Sequence, residues 1–132
     1  MRLHRLGCPH GCAVYELVLH ADGAVDYLGQ RHVAVPGTRH GQADPDALAM
    51  LRSRLHDSGL TAHSDSFLQD LPECGVWTTD QPLVVLEIYQ DSAWRRIDHD
   101  LGCADAPSGL ADLEQAIDSV ARIAPWVYGR VY

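Results

Sequence analysis

The sequence predicts an α+β domain of two ββα units, forming a four-stranded antiparallel sheet with both helices packed on one face. Three observations carry this expectation. Runs of β-forming residues come in two pairs, each joined by a short turn. Each pair is followed by a stretch with apolar residues at helical spacing. The two hairpin turns lie about 69 residues apart, so the architecture repeats although identity between the halves is faint.

The first unit is read over 13–59. Residues Ala13 to His20 are rich in β-formers, Ala21-Asp22-Gly23 makes a tight turn, and Ala24 to Gly29 returns. Pro36-Gly37 and the polar stretch to Gln42 read as a loop. Asp44 is a natural helix cap with Pro45 at the first helical position. Leu48, Leu51 and Leu55 share one helix face, and Gly59 closes the segment.

The second unit is read over 83–124. Leu83 to Tyr89 is a strand, Gln90-Asp91-Ser92 a turn, and Trp94 to His99 the returning strand. Ser108 is placed as the cap of a helix carrying Leu110, Leu113, Ile117, Val120 and Ala121, which ends before Pro125. The connection over 60–82 is long for a compact domain, and Phe67, Leu68, Leu71 and Trp77 predict that it packs against the body. The 132 residues, 1–132, form a single domain on this reading, large enough for a genuine core.

Composition narrows the function. With 10 basic and 18 acidic residues the net charge is −8, and Arg95-Arg96 is the only adjacent basic pair. Nucleic-acid binding through phosphates is therefore not expected. No apolar run approaches the roughly 18–20 residues of a membrane span, so no membrane partner is expected either. The polar opening Met1-Arg2-Leu3-His4-Arg5 has no signal-peptide core, which predicts a cytoplasmic location.

Chemistry concentrates in Cys8-Pro9-His10-Gly11-Cys12, directly before the first strand run. Cys8, His10 and Cys12 offer a metal-binding turn, and Cys74 with Cys103 could complete a four-sulfur zinc site. The same thiols could bridge as structural clamps, or react as a redox pair. Strand order 2-1-4-3 lets all four cysteines meet; order 1-2-4-3 separates Cys8–Cys12 from Cys74–Cys103. Asp98-His99-Asp100 is the only compact acid–base cluster; alternation on a strand sends His99 to the face opposite its neighbours, so it reads as a solvated strand end and not as a catalytic group. Trp94 reads as core or cross-strand packing. Trp77 and Phe67, on the long connection, are the candidate partner-binding residues.

Cys8, Cys12 and Tyr15, followed by the strand, Asp22-Gly23 and Tyr27-x-Gly29, carry a resemblance. Thr79-Asp80-Gln81-Pro82, Arg96-Ile97-Asp98-His99, Leu110-x-x-Leu113-Glu114-x-x-Ile117-Asp118 and Trp126 extend it over nearly the whole chain. The chain resembles a bacterial family of small domains of unknown function marked by a Cys-x-Gly-x-Cys-Pro-x-Tyr signature. It departs from that signature at Pro9, Gly11 and Ala13. The resemblance implies a compact α+β domain and assigns no activity.

The functional expectation is a small acidic non-enzymatic module that binds another protein, a basic one by charge, as an immunity or inhibitor protein does, without a cofactor. A cysteine-based zinc domain and a thiol redox protein are the alternatives.

Overall fold

The computed structural model describes residues 1–57, 66–90 and 92–129. The sheet is not the four-stranded antiparallel one expected. It has seven strands in the order β4-β3-β2-β1-β6-β7-β5, and it is mixed. The strands are β1 (Arg2–Arg5), β2 (Val14–Leu19), β3 (Ala24–Arg31), β4 (Gly37–Gln42), β5 (Ser66–Phe67), β6 (Leu83–Gln90) and β7 (Ala93–Asp100). The helices are α1 (Pro45–Asp57), α2 (Ser108–Ala121) and the short α3 (Ala124–Val127).

Three strands account for the difference. β1 lies at the centre, antiparallel to both β2 and β6, and so separates the two hairpins. Neither strand order considered from the sequence occurs. β1 is short, and only Leu3 on it is an apolar core residue. β4 has no apolar side chain and sits at the sheet edge, where polar residues guard an open ladder. β5 pairs parallel to β7, with Ser66 opposite Asp98 and Phe67 opposite His99, which makes the sheet mixed.

The two hairpins build the rest. β2 and β3 join through Asp22-Gly23, where the Asp22 carboxylate accepts the Ala24 N–H at 2.9 Å. Gly23 takes a positive φ of 90° there, a conformation glycine adopts without strain. β6 and β7 pair over their full length. Asp91, in their turn, lies outside the described residues, as do Gly59 and residues 60–65 of the long connection.

The inner face of the sheet contributes Leu3, Tyr15, Leu17, Leu19, Val25, Tyr27, Val84, Leu86, Ile88 and Ile97 to one core cluster. Leu48, Leu51 and Leu55 of α1, and Leu110, Leu113 and Ile117 of α2, close over it. Asp44 caps α1 by accepting the Ala47 N–H at 3.0 Å. At α2 the expected cap is displaced: Ser108 is the first helical residue, and Pro107 precedes it with no side-chain cap. Arg122 ends α2 in the left-handed region, and α3 then begins at Ala124 with Pro125 in its first turn. α3 docks Trp126 against Tyr27, with ring centroids 5.1 Å apart, and its backbone carbonyls accept from Ala34 and Val35.

Candidate functional site

β1 and β7 end, and β2 and β6 begin, at the same end of the sheet. All four cysteines therefore lie at that end, yet they bond as two separate disulfides. Cys8 joins Cys12 with Cα atoms 5.2 Å apart, and Cys74 joins Cys103 with Cα atoms 4.5 Å apart. With every sulfur paired, the four-sulfur zinc site is not assembled. His10 faces Asp80 at 3.3 Å instead, linking the loop before β2 to the loop before β6. Among the described residues, no three His, Cys, Asp or Glu side chains form a metal-holding group. Two disulfides are the usage of oxidising compartments and do not support the cytoplasmic location expected from the polar opening. No helix among the described residues is long and apolar enough to cross a membrane.

The Cys74–Cys103 corner shapes the long connection. A 3-10 turn at Pro72–Cys74 follows the buried Phe67, whose ring meets the His99 ring edge-on at 6.5 Å. Asp105 N–H donates to the Cys74 carbonyl, Ala104 N–H to Val76 and Thr78 N–H to Gly102, at 3.0, 2.9 and 2.8 Å. Trp77 is half-buried against the core, and its indole N–H donates to Asp100 at 2.9 Å. Gly75 has φ 68°, and a Cβ there would sit 2.3 Å from the Asp105 carboxyl, so any other residue is strained and must displace Asp105. The large hydrophobic side chains exposed here are Leu71, at 38%, and Val76, at 75%, beside the exposed Asp70, Glu73 and Asp105.

The Cys8–Cys12 corner borders a cleft of about 700 Å³. Arg5, Cys12, His32, Asp118 and Tyr128 are among its lining residues. Arg5 lies on β1 facing the helices, where it donates from Nε and Nη2 to one Asp118 oxygen at 3.0 and 2.7 Å. Tyr15 donates its hydroxyl to the other Asp118 oxygen at 2.8 Å and accepts from Arg5 Nε at 3.0 Å. Burial opposes the Arg5 charge, but Asp118 outweighs it and holds the guanidinium cationic above its ordinary range. Burial, seconded by the Asp118 carboxylate, also pushes the Tyr15 phenol well above the usual tyrosine value, so it stays a donor. Burial drives the Asp118 carboxyl upward while Arg5 and Tyr15 pull it back. Both carboxylate oxygens are engaged, and the group ties α2 to β1 and β2. It supplies no free base beside a nucleophile.

A second polar pair lies under the sheet. His99 is 3% exposed and Glu114 1%, and His99 Nδ1 bonds both carboxylate oxygens at 2.8 and 3.0 Å. His99 is thus not part of a solvated strand end: β5 covers the outer edge of β7, and α2 covers its inner face. Sequence reasoning gave no role to Arg5, Glu114 or Asp118, the last two quoted only within the resemblance. The signal was present in α2, where Glu114 and Asp118 alternate with Leu110, Leu113, Ile117 and Ala121 along the inward stripe. Charged residues at core positions of an amphipathic helix require partners. Trp94, half exposed, packs across strands on Tyr89 at 5.5 Å, with the Arg2 guanidinium 4.8 Å from its ring.

No curated protein and no solved structure matches the chain. A family profile matches residues 1–121, and the chain belongs to that family, the domain of unknown function DUF6438.

Proposed function

We propose that the chain is a non-enzymatic binding domain, and that its disulfide-braced loop over 68–78 recognises a basic, partly apolar segment of another protein. The observation that carries this is the pairing of two exposed aliphatic side chains, Leu71 and Val76, with Asp70 and Glu73 on one disulfide-braced loop and with Asp105 on the neighbouring loop bonded to it. Hydrophobic side chains held out to water by a disulfide and three backbone hydrogen bonds lose little entropy on binding. The charge is lopsided in the same region. No Arg or Lys occurs between Arg54 and Arg95, nor between Arg96 and Arg122. Such a surface steers a cationic partner and discriminates against an anionic one.

The test is selection of displayed random peptides on the immobilised domain. Selected peptides should place Arg or Lys beside an aliphatic or aromatic residue, and added salt should weaken them. Val76→Ser and Glu73→Lys should each weaken binding about tenfold. Met50→Ser, a change at a residue 74% exposed on α1, should leave it unchanged. Binders that are acidic, or that ignore both loop substitutions, refute the reading.

A further inference from the structure

We infer that the Cys8–Cys12 disulfide is a thiol–disulfide exchange site, and that the cleft beside it admits a small thiol carrying a carboxylate. The two disulfides of this chain occupy opposite environments. Cys74 and Cys103 are buried at 1% and 6% exposure, under loops tied by backbone bonds. Cys8 and Cys12 are half-buried, and Pro9, His10 and Gly11 between them are exposed. Attack on a disulfide needs in-line access to one sulfur and a good leaving group at the other.

The structure distinguishes the two sulfurs. Cys12 lines the cleft together with Arg5, Ala13, Pro82 and Ile123. The Cys12 backbone N–H donates to Cys8 Sγ at 3.3 Å. That bond strengthens as Cys8 gains charge, which marks Cys8 as the leaving group. The incoming thiolate gives its electron pair to Cys12 Sγ and forms a mixed disulfide. The Cys8–Cys12 bond breaks, and Cys8 departs with the bonding pair as a thiolate. A second thiolate of the same kind then attacks the sulfur of the bound thiol. This releases the external disulfide and leaves Cys8 and Cys12 as a dithiol, with the two electrons supplied by the external thiols. Arg5 gives the cleft a fork of N–H donors. Asp118 fixes that fork in place while occupying only Nε and Nη2. Carboxylates are the natural ligand for such a group.

The experiment incubates the full chain with 3-mercaptopropionate or 2-mercaptoethanol at matched thiolate concentration, quenches with iodoacetamide, and maps products by mass spectrometry. Cys8–Cys12 should open at least about tenfold faster than Cys74–Cys103. The trapped intermediate should carry the external thiol on Cys12 and the alkyl group on Cys8. The anionic thiol should react about threefold faster despite the net charge of −8, and salt should change that margin. Arg5→Gln should remove the preference; the wild-type outcomes stand without it should that variant not fold. Adducts on Cys8, equal opening of both bridges, or a slower anionic thiol would overturn the inference. None of these outcomes depends on the 68–78 loop binding a partner.

Discussion

Removing the Cys74–Cys103 bridge should cost markedly more stability than removing Cys8–Cys12. The first closes a loop with a sequence separation of 29, the second one of 4. The chain-entropy relation gives about 3.6 kcal/mol for the long loop and about 2 kcal/mol for the short one at room temperature. With an unfolding entropy scaled to a chain of this length, these become drops in Tm of about 13 °C and about 7 °C. Both long-loop sulfurs are buried, so the Cys74→Ala/Cys103→Ala pair also loses packing, which widens the difference. The assay is urea denaturation followed by tryptophan fluorescence on the two double variants, with calorimetry for Tm. Equal losses, or a larger loss from Cys8→Ala/Cys12→Ala, would refute the reasoning. Such a result would mean that the unfolded chain is already compact around Cys74 and Cys103, or that the short bridge holds more than its own turn.

Further outcomes follow from the buried polar groups. Asp118→Ala strands the Arg5 guanidinium and the Tyr15 hydroxyl, both little exposed, and should cost about 3–5 kcal/mol by urea denaturation. The Tyr15 phenol is raised in the folded state, so its contribution is intact below the unfolded value near 10 and is lost as pH rises past it. Stability should then fall by about 1.4 kcal/mol per pH unit above pH 10, and an absorbance titration of tyrosinate should show late-titrating phenols. Glu114→Ala should cost about 3–5 kcal/mol, whereas His99→Leu with Glu114→Leu should recover most of that loss in the same denaturation assay. Gly75→Ala should cost about 1–3 kcal/mol from backbone strain and the Asp105 clash, read as a lower calorimetric Tm.

The elements legible in the sequence are those whose side chains alternate or recur without interruption. Tyr15, Leu17 and Leu19, and Val84, Leu86 and Ile88, are buried at strand spacing, and Leu48, Leu51 and Leu55 at helix spacing. The illegible ones are those whose stability is borrowed. Arg2–Arg5 is a strand because β2 and β6 flank it on both sides, not because its residues favour one. Gly37–Gln42 is polar throughout and is held by the β3 ladder, with side-chain bonds from His40 to Asp26 and from Gln42 to the Asp22 carbonyl. Ser66–Phe67 is two residues long. Inserting β1 between the hairpins also explains the cysteines. Both sequence-based strand orders linked cysteine proximity to which strands adjoin. In the structure all four lie at one sheet end, and pairing is decided by local loop paths.

The candidate site was legible in its covalent part and hidden in its electrostatic part, for one physical reason. A cysteine advertises its chemistry in its own symbol, whereas a buried charge is defined by the group that neutralises it. Arg5 and Asp118 are 113 positions apart, and His99 and Glu114 fall on a strand and a helix with no shared motif. Yet such pairs constrain one another through topology. Once β1 is placed beside β2, Arg5 faces the same layer as Tyr15, its register partner. α2 must lie over that layer to bury Leu113 and Ile117, and the same turn of helix then delivers Glu114 and Asp118. The charged residues of α2 are therefore located by its leucines and isoleucine. They fix the rotation of the helix, because a turn about its axis would leave two carboxylates without donors in the core. That rotation also sets the wall of the cleft beside Cys12, so the polar clamp and the exchange site share one cause in the inward face of α2.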